Sequence, residues 1–131
     1  MTVEELLQLP TIKGLKLISG NLGVHREIST VTVVDTPDGF QWLKGNEVVI
    51  TTTYALEKTP NSFLDFISKL LSRNISALIV KSDRYIKVIP ENAKKLCDEK
   101  ALPLIYCPAI YAFADIINPT LSGIKSKQAE Q

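Results

Sequence analysis

Metal and thiol chemistry have little to work with in this chain. Among 131 residues there are two cysteines, Cys97 and Cys107, and one histidine, His25. The cysteines form no CxxC pair, and His25 lies far from both in sequence. A structural zinc site needs about four soft ligands at defined spacing, so no metal site is expected. Two scattered cysteines fit a reducing compartment, where each serves as a small buried hydrophobe. Charge of one sign is also missing. Fifteen basic residues face fourteen acidic ones, for a net charge of +1. Such a chain exerts no long-range pull on a phosphate backbone, and it has no recognition-helix signature, so direct nucleic-acid binding is not expected.

No run approaches the ~20 apolar residues of a membrane span. The opening "MTVEELLQLP" is acidic and has no long apolar core, unlike a secretory signal. Both observations predict a cytoplasmic location and no membrane partner. Cofactor fingerprints are absent too. "SGNLG" (19–23) matches neither the dinucleotide-binding glycine pattern nor the phosphate-binding loop. His25 stands beside Arg26 with no serine or cysteine nucleophile placed by motif, which reads as a turn-flanking surface residue. The chain is therefore expected to be non-enzymatic and to need no cofactor.

The positive content is a patterned core. A hydrophobic fraction of 45% with 22% charged residues is ordinary for one globular domain. A domain of this length buries roughly two-thirds of its unfolded surface. Thr2 and Glu5 have capping-box spacing at the start of a short helix, which Pro10 ends. "GLKLISG" predicts a short strand, and "EISTVTVVD" (27–35) predicts another, apolar enough to be covered on both faces. "FQWLKGN" reads as a single helical turn that anchors Phe40, Trp42 and Leu43 in the core, with the Trp42 ring largely buried.

From residue 47 onward the pattern is strand, helix, strand, helix, strand, helix. The strands are 47–53, 75–81 and 102–108. In the first helix, Phe63, Phe66, Ile67, Leu70 and Leu71 share one face. The second starts at Pro90, and the third is "AIYAFADIIN". That alternation predicts an α/β fold with a mostly parallel sheet flanked by helices. Pro119 and Gly123 weaken the last helix, and "PTLSGIKSKQAEQ" reads as a linker. Leu121 and Ile124 then form an exposed apolar stripe, which predicts a homodimer contact through residues 110–125.

Parallel strands place their carboxyl ends on one edge, where ligands of open α/β sheets bind. Asp35 and Thr36 end one strand, and Thr51, Thr52, Thr53 and Tyr54 end the next. Lys81, Ser82, Asp83 and Arg84 end the third, and Cys107, Pro108 and Tyr111 follow the last. The candidate ligand-binding set is Asp35, Thr51, Thr52, Tyr54, Lys81 and Arg84. Hydroxyls, cations, a carboxylate and an aromatic face together suit a small polar molecule. The same threonines could instead close the backbone hydrogen bonds of a turn.

At "TVEELLQLP", "SGNLGVHREISTVTVVDTPDGFQWLKGNEVVITTTYAL" and "ALPLIYCP", the chain resembles the N-terminal domain of the PucR family. These are bacterial transcription regulators named for purine catabolism. The resemblance covers about residues 1–120 and is most specific from Asp35 through Trp42 and Leu43 to "EVVITT". It implies a regulatory sensor domain over 1–120, with 121–131 leading toward C-terminal domains. It also implies a fold similar to the N-terminal domains of HPr kinase and a Mur ligase. The implied partner is a small-molecule effector, with signalling to a DNA-binding helix-turn-helix outside this chain. The family commonly has a glycine after the paired threonines, where this chain has Thr53, so a backbone cradle for a ligand is doubtful there. A ligand-free association domain and a small enzyme of purine breakdown are the alternative readings.

Overall fold

The computed structural model describes residues 1–52, 62–82 and 89–129. Five strands form one sheet: β1 (Lys16–Ser19), β2 (Thr30–Val33), β3 (Glu47–Thr51), β4 (Ala77–Ser82) and β5 (Leu104–Pro108). Among the described residues, four α-helices accompany them: α1 (Val3–Leu7), α2 (Ser62–Leu71), α3 (Glu91–Glu99) and α4 (Phe113–Ala129). The strand order is β1-β5-β4-β3-β2. β2, β3, β4 and β5 run parallel, and β1 joins β5 antiparallel. The expected α/β fold with a mostly parallel sheet is thus present.

Strand alternation divides the core into two layers. Val49, Leu78, Val80 and Leu104 meet Phe63, Phe66, Ile67 and Leu70 of α2 and Ala93 and Cys97 of α3. Val48, Ile50, Ala77, Ile79, Ile105 and Cys107 face the other way, against Val3 and Leu6 of α1 and Ile116 and Ile124 of α4. Each Val, Leu, Ile or Phe among them, fully buried, stabilises the fold by roughly 1.5–3 kcal/mol before chain entropy is charged against it. β3 is buried at all five positions, as a central strand of a parallel sheet must be.

β2 departs from expectation. The strand is four residues long and lies at the edge, with Thr30 and Val33 exposed and Val31 and Thr32 half-buried. Composition predicts coverage on both faces, yet only position in the sheet decides it.

Trp42 is a second correction. Its ring is 81% exposed. Gly39–Trp42 is a 3-10 turn. With three residues per turn, Phe40 and Leu43 eclipse and share the inward side, which points Trp42 outward. Leu43 is buried and Phe40 packs against the same core.

α4 is a third. It continues through Pro119 to Ala129, although an interior proline costs about 3 kcal/mol. Tertiary burial outweighs that cost. Ile116, Thr120 and Ile124 recur at four-residue spacing and are all buried. Thr120 Oγ1 donates to the Ile116 carbonyl at 2.6 Å. Gly123 admits the Met1 side chain where a Cβ would collide with it. Leu121 is half-buried against the same cluster. The stripe expected to be free for a homodimer is therefore largely used inside the fold.

The first helix forms as its cap dictates. Glu5 N–H donates to Thr2 Oγ1 at 3.2 Å, and Thr2 N–H donates to Glu5 Oε1 at 2.9 Å. Lys127 of α4 reaches Glu5 Oε2 at 2.9 Å. The cap hydrogen bond from Thr2, aided by Lys127, holds the Glu5 carboxyl down at about 2.

"SGNLGVHRE" has a structural role. Gly20 takes φ +76, and a Cβ on it would strike the Leu102 carbonyl. A Cβ at Gly23 would strike the Ala101 carbonyl. Gly20 N–H donates to Asp98 Oδ1 at 2.7 Å. Arg26 donates to the carbonyls of Ala101 (2.9 Å), Lys100 (3.0 Å) and Ile75 (3.3 Å). This segment clamps the amino end of the sheet, opposite the edge where a ligand would bind.

Candidate functional site

Parallel register brings the carboxyl ends of β2, β3, β4 and β5 to one rim. Val33 pairs with Ile50, Thr51 with Val80, and Ser82 with Pro108. Thr51 is fully buried, and Thr52 and Asp35 are half-buried beside it. One carboxylate oxygen, Asp35 Oδ1, ties the first two strand ends together. It accepts from Thr52 N–H at 2.7 Å and from the hydroxyls of Thr51 and Thr52, each at 3.1 Å. The threonine hydroxyls therefore bond a carboxylate just past the end of the neighbouring strand.

Lys81 takes a different direction. Alternation turns it toward the α4 face, and its ammonium stands 5.3 Å from the centroid of the Phe113 ring. Phe113 was not foreseen as a rim residue, since only the turn before α4 folds it back under β4. Asp115 sets that turn by accepting from Ala112 N–H at 2.7 Å. Tyr106 was also missed. Its hydroxyl donates to the Ser82 carbonyl at 2.9 Å and links the ends of β4 and β5. Alternation in "LIYCP" could have flagged it as the one polar ring in an otherwise apolar strand. Tyr111 is used structurally, because its hydroxyl accepts from Gly14 N–H at 3.0 Å. Asp35, Thr51 and Thr52 thus form one cluster and Lys81 stands on the same rim. Tyr54 and Arg84 lie outside the described residues, as does Thr53.

The thiols do not offer a nucleophile. Burial pushes Cys107 up to about 11, against the pull of Lys81. Burial, with the charge of Asp98, pushes Cys97 up to about 12. Both stay protonated at neutral pH, and a thiol attacks as its thiolate. His25 is exposed at the opposite end of the sheet. Among the described residues, no three of His, Cys, Asp and Glu come together as metal ligands. No helix among them is long and apolar enough to cross a membrane.

A groove of about 520 Å³ runs from Asp35 over one face of β2 to Glu47 of β3, beside the 3-10 turn. Thr30, Thr32, Val34, Trp42, Leu43 and Lys44 line it. No signal in the sequence marked it, because it depends on Trp42 turning outward.

A model of the purine catabolism regulatory protein-like family, PucR, matches residues 5–124. The chain belongs to this family. It is also similar to the purine catabolism regulatory protein of Bacillus subtilis (strain 168), with 31% identity over 131 residues. That similarity covers 100% of this chain and 25% of the Bacillus protein, so the chain spans a quarter of its relative's length. The PucR match takes in the whole sheet, from the Glu5 cap in α1 to the buried Ile124 of α4. The amino-end clamp and the carboxyl rim both fall within it.

Proposed function

We propose that this chain is the effector-sensing regulatory domain of a transcription regulator. A small metabolite binds at the carboxyl rim of the sheet, and the domain acts without catalysis. The observation that carries this reading is the alignment of four parallel strand ends on one rim, where Asp35, Thr51 and Thr52 cluster and Lys81 stands. Such an edge is where open α/β sheets hold ligands. Asp35 supplies an acceptor for ligand N–H groups, Lys81 a cation for carboxylate or carbonyl oxygens, and the threonines hydroxyls of either sense. Tyr54 and Arg84 complete the proposed set. The name of the Bacillus relative points to intermediates of purine breakdown as ligands, which are planar or ureide molecules rich in N–H and C=O groups.

Signal transfer follows from the connection of the parts. Lys81 touches Phe113 at the first turn of α4. A ligand that draws Lys81 away from that ring alters how α4 is held. The sensor unit of residues 1–120 is then read out through 121–131, toward a C-terminal DNA-binding domain outside this chain. The protein works in the cytoplasm, and this domain makes no direct contact with DNA.

Thermal-shift screening against purines, ureides and their carboxylates tests the reading. A ligand at a hundred times its dissociation constant stabilises the fold by roughly 2.7 kcal/mol. The shift is expected to disappear in Lys81→Ala and to weaken in Asp35→Asn. A panel with no stabilising member, or one whose effect survives both substitutions, would remove the rim as the site.

A further inference from the structure

Among the described residues, β2 has a strand partner on one side only, where it pairs with β3. Its outer side presents unpaired backbone groups, a template for another strand. Natural edges are usually blunted by charge, proline or a bulge. From Ile28 to Val34 this one has no charged residue, no proline and no glycine, and its register to β3 is unbroken. Val33 is 38% exposed, and the exposed Trp42 stands along the groove beside the strand. On the opposite face α4 packs against β2 and supports it.

We propose that the outer edge of β2 pairs antiparallel with β2 of a second copy of this chain, so that two five-stranded sheets join across a two-fold axis. The strand is self-complementary in that arrangement. Directly opposed residues of an antiparallel ladder share a face, so with the axis at Thr32, Thr32 of one copy meets Thr32 of the other and Val31 of each stands opposite Val33. Thr–Thr and β-branched apolar pairs of this kind favour pairing. Charge agrees with the same geometry. Thr30 pairs with Glu47, and Lys44 lines the groove with them, near the amino end of β2. Asp35 and Asp38 follow its carboxyl end. Antiparallel pairing brings Lys44 of each copy toward Asp35 and Asp38 of the other, while the acids at the Lys44 end are already engaged, Glu47 by the Lys44 and Gly45 N–H groups and Glu27 by the Met1 amino group. A parallel pairing would instead set acidic end against acidic end. Trp42 then covers the incoming strand from the groove side, as aromatic anchors do at interfaces. Such a contact is isologous, so it closes at two copies.

Four residues a side are few against the roughly 1,200–2,000 Å² that stable complexes bury. The association is therefore weak in this chain alone. Sedimentation equilibrium at concentrations up to about 1 mM covers the range where contacts of that strength populate. The wild type is expected to rise from 14.5 kDa toward twice that mass. Val33→Lys places a charge on the edge at an already exposed position, so it should melt like the wild type yet stay monomeric. Trp42→Ala should weaken association without unfolding the chain. Lys44→Glu should weaken it as well, and adding Asp38→Lys should restore it. A wild type that remains monomeric throughout would overturn the proposal. So would a folded Val33→Lys variant that associates as the wild type does, or a charge swap that restores nothing.

Discussion

At one edge of the sheet, β1 carries the exposed Lys16 and a register shift between Leu17 and Ser19. At the other, β2 carries Thr-Val-Thr-Val with neither device. The edges differ in attachment as well. β1 runs straight into the clamp of Gly20, Gly23 and Arg26, where backbone meets backbone too closely for a Cβ. β2 is held at its carboxyl end by side chains, through Asp35 and the two threonines of β3. A charged, bulged strand locked by glycines closes the sheet on that side. Among the described residues, a plain strand held by one carboxylate has no strand on its outer side. Two strands of equal length and similar apolar content thus have different uses.

The largest expected effect tests the closed edge. Gly20→Ala forces a Cβ into the Leu102 carbonyl and an L-residue into positive φ. The cost should be roughly 2–5 kcal/mol in urea unfolding. A loss under 1 kcal/mol would mean that the clamp yields easily, and the contrast between edges would shrink. Next comes the attachment of β2. Asp35→Ala leaves the Thr52 N–H and two hydroxyls to find other acceptors at a half-buried site, for about 1–3 kcal/mol. Hydrogen exchange should quicken in β2 and not in β1. Equal quickening in both strands would show that Asp35 supports the whole sheet.

The support beneath β2 has a pH signature. Glu5 joins α1 to Lys127 of α4, and its carboxyl is held near 2 where an unperturbed glutamate is near 4.5. A depressed carboxylate contributes stability that is complete above about 4.5 and lost as pH falls toward about 2. Melting temperatures of the wild type should drop across that window, and those of Glu5→Gln should drop less. Parallel curves would mean that neither the Thr2 cap nor Lys127 holds the carboxyl down in solution. The smallest effect belongs to the open edge. Trp42→Ala should change stability by no more than about 0.5 kcal/mol, because the ring is solvated. A loss of ~3 kcal/mol would restore the buried anchor that the sequence suggests.

The parallel sheet was legible because its signals are local and repeated. "EVVIT", "ALIVKS" and "LIYCP" are apolar without a gap, and the segments between them carry helical spacing. Thr2 and Glu5 announced their cap because both partners lie within one turn. The rim was legible in outline, since strand direction alone brings Asp35, Thr51, Thr52 and Lys81 to one edge. Sequence could not tell which of them touch. Asp35 and the threonines are 16 and 17 positions apart, and Lys81 finds Phe113 only after the chain has passed through α3 and β5.

Composition and periodicity thus determined the fold class, the central strands and the absence of long-range charge, for these depend on the solvent preference of each residue and its near neighbours. Tertiary structure alone decided which strands are edges, that Trp42 faces water, and that α4 runs on through Pro119. Each depends on what stands across space from the residue. An edge is an edge because no strand lies beyond it. A turn points one apolar ring outward because two others already fill the core. A helix keeps its proline because Ile116, Thr120 and Ile124 lose more by leaving the sheet than the missing hydrogen bond costs.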